Sequence, residues 1–327
     1  MVRECLVGLD LGNTWFRSCV VTSDGELIVW RRSEVDRSRN LDQSIEQVFS
    51  LVETVLSRST MERGKLRMAG ISFGGLTDHD RGVALLSHNL LAWKDVSLCR
   101  LFEERFGIRA VMDNDGNLGA LAEHTFGEMR GIKDFIYGTL STGIGGGLIL
   151  NGGLYRGSRN LAGEIGHIQV LENGPRCTCG KRGCLESLAS GSSLARFARE
   201  GDRSNGEGEE KKGLGLIRRQ YRGHHAKTLD LAARQRDPFS IRFLQDAGRY
   251  VVRAIAQTVV LLDLELVVVG GGVGNAGRIL FDPLRETLNA RLLPEPLASI
   301  RVVRSRLGDS IGLLGSIALA HKELETC

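Results

Sequence analysis

The chain has little of what would tie it to a charged polymer or a bilayer. Of its 327 residues, 43 are Lys or Arg and 39 are Asp or Glu, a formal excess of only +4. That balance leaves no electrostatic footprint for nucleic acid or anionic lipid, and a small-molecule partner is expected. Long apolar runs are missing too: the most apolar later stretch, residues 258–269, holds Asp263 and Glu265 and cannot span a membrane,. The N-terminal run meets Asp10 early and has neither the h-region nor the cleavage site of a secretory signal, so a cytoplasmic location is expected,. The 7 cysteines are odd in number, and Cys5, Cys19, Cys99 and Cys327 are scattered, which argues against a disulfide framework,. The pattern G-x-x-x-x-G-K-[ST] occurs nowhere, which excludes a P-loop kinase,. A chain of this length buries a sizeable core without staples and suits two lobes.

What is present reads as alternating β and α. Apolar patterning predicts strands over 5–11, 18–21 and 27–30, with a turn at Ser23-Asp24-Gly25, then a helix over 41–56,. A strand over 66–73, a helix over 96–106 and a strand over 108–112 complete an α/β lobe,. The second half repeats the opening: a strand over 135–140, a glycine-rich turn over 141–147, a strand over 148–150 and a hairpin signal at Asn151-Gly152-Gly153,. Helices are expected over 187–199, 239–262 and 311–324, and strands over 264–269 and 300–303. Gly270 to Gly272 should open a helix. Residues 200–215 are too polar and glycine-rich to pack and read as a mobile surface loop, and the basic RRQYRGHHAK stretch beyond them reads as a solvated face,.

The densest chemistry lies in GEIGHIQVLENGPRCTCGKRGCLES. Cys177, Cys179, Cys184 and His167 supply the Cys₃His set of a closed, structural tetrahedral zinc site, and Gly180 and Gly183 let the backbone fold round it,. The alternative is three free thiols and a core histidine. Glu164 and Glu186 flank the knot. With one nitrogen of His167 on zinc, the other is a fixed donor, and two carboxylates beside it make a claw for vicinal hydroxyls; solvated surface acids are the plainer reading.

Two turns could cradle phosphates. Asp10-Leu11-Gly12-Asn13-Thr14 delivers an acid, backbone N–H groups and a hydroxyl, and the acid can hold Mg²⁺ through water,. Thr142, Gly143, Gly145 and Gly146 repeat that arrangement in the second half. Either alone is explained by an ordinary hairpin turn. A third run, Gly272 to Gly277, satisfies G-x-G-x-x-G, but it lies too near the C-terminus for a dinucleotide fold and suits a close approach of Gly271 and Gly272 to adenine or ribose,. In VMDNDGNLGALAEH, residues after Gly116 run at helical spacing and place Asp115 at a strand-to-helix corner. A carboxylate there is ionised at neutral pH and can accept the proton of an attacking alcohol. A simple Asn-Asp-Gly turn is the competing reading.

Taken together, D-x-G-x-T, N-D-x-N, T-G-I-G-G-G, G-E-I-G-H with C-x-C-G-x-x-G-C-x-E, and V-G-G-G resemble the ROK family of sugar kinases and repressors, nearly end to end. The resemblance implies a two-lobed α/β actin-like ATPase (ribonuclease H-like) fold with an interlobe cleft and a zinc loop. Residues 1–114 plus 308–327 would form the small lobe and 115–307 the large one. It implies an ATP- and Mg²⁺-dependent hexose kinase, glucokinase-like, with Asp115 as base. Gly75, Asn89, Asn114, Glu164, His167 and Glu186 would hold the sugar, and Asp10 to Thr14, Thr142 to Gly146 and Gly271-Gly272 the nucleotide. Kinases for allose, N-acetylmannosamine, N-acetylglucosamine or fructose, and a non-catalytic sugar-binding regulator, are the alternatives. Such regulators carry a helix-turn-helix ahead of the first phosphate turn, for which the 7 residues before Gly8 are too few. A homodimer is also implied. Asn13 stands where the family usually has glycine and Trp15 where it has lysine; Asn tolerates a left-handed backbone. Asn89 and Trp93, in N-L-x-x-W, are expected near the sugar.

Overall fold

The apolar run at the start of the chain becomes β1 (Cys5–Leu11), in which every residue is buried. A strand covered on both faces needs layers on either side, and both are present. In the computed structural model, which describes residues 4–59, 65–87, 90, 92–193, 196, 232–274, 277–291 and 300–326, β1 pairs antiparallel with β2 (Trp15–Thr22) and parallel with β4 (Leu66–Phe73). With β3 (Leu27–Glu34) and β8 (Ala110–Asn114) they form a sheet in the order β3-β2-β1-β4-β8. A separate three-stranded sheet is made by β5 (Leu76–Asp78), β6 (Val83–Leu86) and β7 (Lys94–Val96).

The chain divides into two compact units, 1–132 with 147–163 and 309–327, and 133–146 with 164–308. In the first, α1 (Leu41–Ser59) and α2 (Leu98–Phe106) share one core with alternate residues of β1: Cys5, Val7, Leu9 and Leu11. Leu6, Cys19 and Met68 point to the other face and pack on Ile317 and Ala320 of the last helix, α8 (Ile311–Glu325). That helix lies unusually close to the sheet. A Cβ on Gly70 would fall on the Ser316 carbonyl, and one on Gly315 would fall on the Leu118 carbonyl of α3 (Asp115–Thr125). The expected lobe boundary at 114/115 therefore differs from the structure: α3 packs Leu118 and Leu121 on Ala318 and Leu319 and stays with the first unit.

The second sheet repeats the first in connectivity, with the order β11-β10-β9-β12-β13. Its strands are β9 (Phe135–Leu140), β10 (Ile144–Leu150), β11 (Gly153–Tyr155), β12 (Leu266–Gly270) and β13 (Arg301–Arg304). Positive φ at Asn151 (52°) and Gly152 (75°) gives the primed hairpin turn that Asn-Gly favours,. The glycine run expected as one turn over 141–147 is mostly strand: only Ser141 to Gly143 turn, closed by Ser141 N–H on the Gly143 carbonyl at 2.9 Å. Glycine suits a strand here because its neighbours come close: a Cβ on Gly147 would meet the Gly116 carbonyl,.

Of the helix expected over 187–199, the structure shows α4 (Leu185–Ala189), a break at Ser190 and helix again at 191–193, while residues 194–195 and 197–199 lie outside the described residues. Helix α5 (Pro238–Leu262) starts on an Asp237 cap that accepts from Ser240 N–H at 2.8 Å,. Residues 271–274 form a single helical turn, α6 (Gly271–Gly274), and α7 (Arg278–Arg291) follows. The helix expected from 96 begins at Leu98, because Lys94–Val96 pairs with β6 instead. Residues 200–215 and the RRQYRGHHAK stretch lie outside the described residues. Among the described residues no helix is long and apolar enough to cross a membrane.

The close seat of α8 can be tested by adding one methyl. Gly70→Ala is expected to cost at least about 2 kcal/mol in urea unfolding, through overpacking against the Ser316 backbone,. A variant as stable as the parent would refute that packing.

Candidate active site

Three strand-to-helix or strand-to-turn junctions carry the chemistry. In the first unit, β8 ends at Asn114 and α3 begins at Asp115. Asn114 is the cap: its Oδ1 accepts from Gly116 N–H at 2.8 Å and Asn117 N–H at 3.3 Å,. Its Nδ2 donates to the Gly75 carbonyl at 2.8 Å, so Gly75 contributes backbone at the same corner. Asp115 is half-buried in the first helical turn, where the N-terminus favours negative charge,.

Behind the corner sits a group that sequence reasoning missed. Asp113 is fully buried, accepting from Arg156 Nε at 2.6 Å, Asn117 Nδ2 at 2.9 Å and Asn114 N–H at 2.7 Å. A carboxylate taken out of water needs such partners, and Arg156 lies 43 residues away, beyond the reach of local pattern reading,.

Asp10, one residue before the end of β1, stands opposite Arg17 and takes a 2.7 Å hydrogen bond from Arg17 Nη1. Burial raises its pKa, and the Arg17 charge and hydrogen bonds from Arg17 and Ser72 oppose that rise. A single buried carboxylate beside a turn fits a magnesium ion held through water. The turn is closed by Gly12 N–H on the Trp15 carbonyl at 3.2 Å, and Thr14, exposed, accepts from Val35 N–H at 3.0 Å. Asn13 does not use the left-handed backbone it could tolerate.

In the second unit, His167, Cys177, Cys179 and Cys184 place four ligand atoms within 4.8 Å of one another. Two thiolates on one tetrahedral zinc with bonds of about 2.3 Å would lie about 3.8 Å apart. The Cys179 and Cys184 sulfurs are 3.7 Å apart, and Cys177 Sγ is 3.7 Å from His167 Nδ1. The knuckle is folded by Cys177 N–H on the Lys181 carbonyl and by positive φ at Gly180 and Gly183, 88° and 68°. Burial, reinforced by Cys179 and Cys177, pushes the Cys184 thiol up to about 12, a cost that a bound cation would offset,. The donor set fits zinc.

The same geometry assigns the imidazole. Nδ1 faces the sulfurs, and Nε2 lies 3.9 Å from Glu164 Oε2. Glu186 is held from two sides, its Oε2 accepting from Ile144 N–H at 3.0 Å and its Oε1 from Thr178 Oγ1 at 3.3 Å. Burial, then the charge of Glu186, pushes Glu164 up to about 7, which brings the two acids into one field. Gly143 proves to be a spacer: a Cβ there would come 2.7 Å from Glu186 Oε2. Thr142 lies beside it, its carbonyl accepting from Ser192 N–H at 3.0 Å.

Other expected residues fall as follows. Gly145 and Gly146 are in β10, past the turn. Gly271 has φ of 84° at the end of β12, where a Cβ would strike the Leu140 backbone, and Gly272 follows in α6. Asn89 lies outside the described residues. Trp93 is a core residue, 1% exposed, packed on Phe73 and donating from Nε1 to Ser44 Oγ at 3.0 Å.

The model of the ROK family matches residues 6–323. The chain belongs to the ROK family. It is 34% identical to a glucokinase from Thermotoga maritima over 325 residues, covering 99% of each protein. A ROK family glucokinase from Streptomyces griseus, solved in complex with glucose and AMPPNP, superposes with a TM-score of 0.83 at 30% identity, covering 98% of this chain and 100% of that one. A xylose repressor from Caldicellulosiruptor bescii is 25% identical over 329 residues, covering 98% of this chain and 78% of the repressor. The ROK fold is accordingly two-lobed and mixed α/β, with two mixed sheets.

Replacing one ligand tests the metal knot. The purified chain is expected to hold about one zinc and Cys184→Ser to hold far less, with a lower melting temperature. Elemental analysis with thermal melts reads both. A parent without zinc, or a serine variant with the parent's zinc content, would contradict the assignment.

Proposed function

We propose that this chain is an ATP-dependent hexose kinase that phosphorylates the 6-hydroxyl of glucose. The observation that carries the reading is Asp115 on a capped strand-to-helix corner, in a chain 34% identical end to end to a glucokinase. In this reading Asp115 accepts the proton of the sugar hydroxyl as its oxygen attacks the γ-phosphorus in line. In this reading Glu164, His167 through Nε2–H, and Glu186 take sugar hydroxyls, and Asn114 and the Gly75 backbone are further sugar contacts. Asn114 has already committed its oxygen to the cap and one N–H to Gly75, which leaves it a single donor for a sugar,. The turn after Asp10 and the Thr142–Gly143 turn take the donor phosphates. A magnesium ion, when bound near Asp10, offsets charge on the transferring phosphoryl group.

The Streptomyces griseus relative bound both glucose and AMPPNP, which supports the pairing of sugar and nucleotide. The xylose repressor supports the second reading, a sugar-binding regulator without catalysis. Allose, fructose and the N-acetylhexosamines share the hydroxyls such a claw grips, and shape at one substituent decides among them.

A coupled assay of ATP turnover across these sugars separates the readings. Glucose is expected to be turned over fastest, and Asp115→Asn to lower kcat by about 10²–10⁴-fold with little change in glucose KM. Equal rates in the two proteins, or no turnover with any sugar, would overturn the kinase reading.

A further inference from the structure

Asp10, Arg17 and Arg32 form a row across β1, β2 and β3. The register sets Asp10 opposite Arg17, and Arg17 opposite Arg32. Directly opposed residues share one face of a sheet, and two opposed guanidinium groups destabilise it unless each is otherwise engaged. Arg17 is engaged by Asp10 at 2.7 Å. Arg32 lies over the Trp15 ring, 4.2 Å from its centroid,. Two cations are thus kept side by side where sheet energetics alone would select against them.

Their place is the edge of the first phosphate turn. A Cβ on Gly12 would stand 4.0 Å from Arg17 Nη1, and Arg37 Nη2 donates to the Asn13 carbonyl at 3.1 Å. Of the nearby acids, Asp10 is the partner of Arg17 and Asp36 is occupied by Ser38 and Arg39. Glu34 stands opposite Trp15, exposed. A guanidinium has five N–H donors in a fixed fork, so Arg17 can hold Asp10 with one and still present others to an anion. Arg32 is exposed and stacked, which fixes its plane without using its donors.

We propose that Arg17 and Arg32 bind the phosphoanhydride chain of the phosphoryl donor. The inference rests on the kinase reading above, since that reading supplies the polyanion. Arg17 grips phosphate oxygens from the Asp10 side of the turn and Arg32 from the β3 side, with Trp15 as the platform that orders Arg32. The row accounts for a turn that carries Trp15 and yet receives a highly charged ligand.

Calorimetric titration of the full chain with MgAMPPNP, without sugar, tests it. Arg17→Ala is expected to weaken binding roughly 10–100-fold and Arg32→Ala roughly 3–10-fold, the range of charge-assisted hydrogen bonds and of partly exposed cation contacts. Because Arg17→Ala strips Asp10 of its counter-charge, Arg17→Lys is measured too; it is expected to melt like the parent but to bind MgAMPPNP more weakly, lacking the fork. Magnesium tripolyphosphate is titrated in parallel. Weakening of both ligands assigns the contact to a bare phosphate chain, whereas a parent that binds only MgAMPPNP names the nucleotide as its source. A parent that binds MgAMPPNP, with arginine variants within threefold of it, overturns this inference and leaves the kinase reading standing. A parent that binds neither ligand removes the kinase reading itself.

Discussion

Three sulfurs and an imidazole nitrogen within 4.8 Å of one another form a donor set whose thiolates a bound cation would hold together,. The segment between Ile165 and Leu185 has a single 3₁₀ turn, two isolated bridges, Gln169 with Cys184 and Arg176 with Arg182, and backbone bonds such as Val170 N–H to the Gly183 carbonyl and Gly183 N–H to the Pro175 carbonyl, both 2.9 Å. A metal bound at the four donors would fasten this segment to one shape,. Glu164 leads into the knot and Glu186 leads out. His167 spends Nδ1 inside it and turns Nε2 toward Glu164. A metal held at Nδ1 would fix a hydrogen-bond donor at Nε2, a coupling common to metal-bound histidines.

The first unit solves its positioning problem with buried polar groups. The corner at 113–117 has Asn114 satisfying the first helical N–H groups and Asp113 tying Asn114, Asn117 and Arg156 together. Burial makes these bonds demanding: a carboxylate with no exposure that lost Arg156 would be strongly destabilising,. The corner that carries Asp115 is thereby held by several bonds rather than by loop preference, as the base role proposed for it would require when a small misplacement costs rate. Close helix packing serves the same end. Gly70, Gly312 and Gly315 let α8 lie against the sheet, the Asp10 carboxylate and α3, so the acid and the corner share one rigid wall.

Much of this was legible in the sequence, for identifiable reasons. The buried strands 5–11 and 66–73 and the long helix 239–262 showed because their apolar periodicity is local, and the knot showed because three cysteines and a histidine in 18 residues have few other uses. What escaped depends on pairing between distant segments. The Asp10–Arg17–Arg32 row needs the register of three strands, and the Asp113–Arg156 bond needs the placement of β11. Gly143 showed as a turn glycine from its local signature, but its closeness to the Glu186 carboxylate depends on a segment far along the chain. The boundary at 114/115 missed because small residues on α3 and α8 permit a contact that hydrophobic pattern alone does not weight.

In the function proposed for this chain, the metal knot orients Glu164, His167 and Glu186 toward the sugar. Calorimetric titration of glucose into the chain as purified, after removal of zinc by a chelator, and after zinc is restored tests it most directly. Glucose affinity is expected to fall at least about tenfold on stripping, the lower end of what loss of such support costs, and to return with the metal. Equal glucose affinity in the stripped and loaded protein would contradict the account.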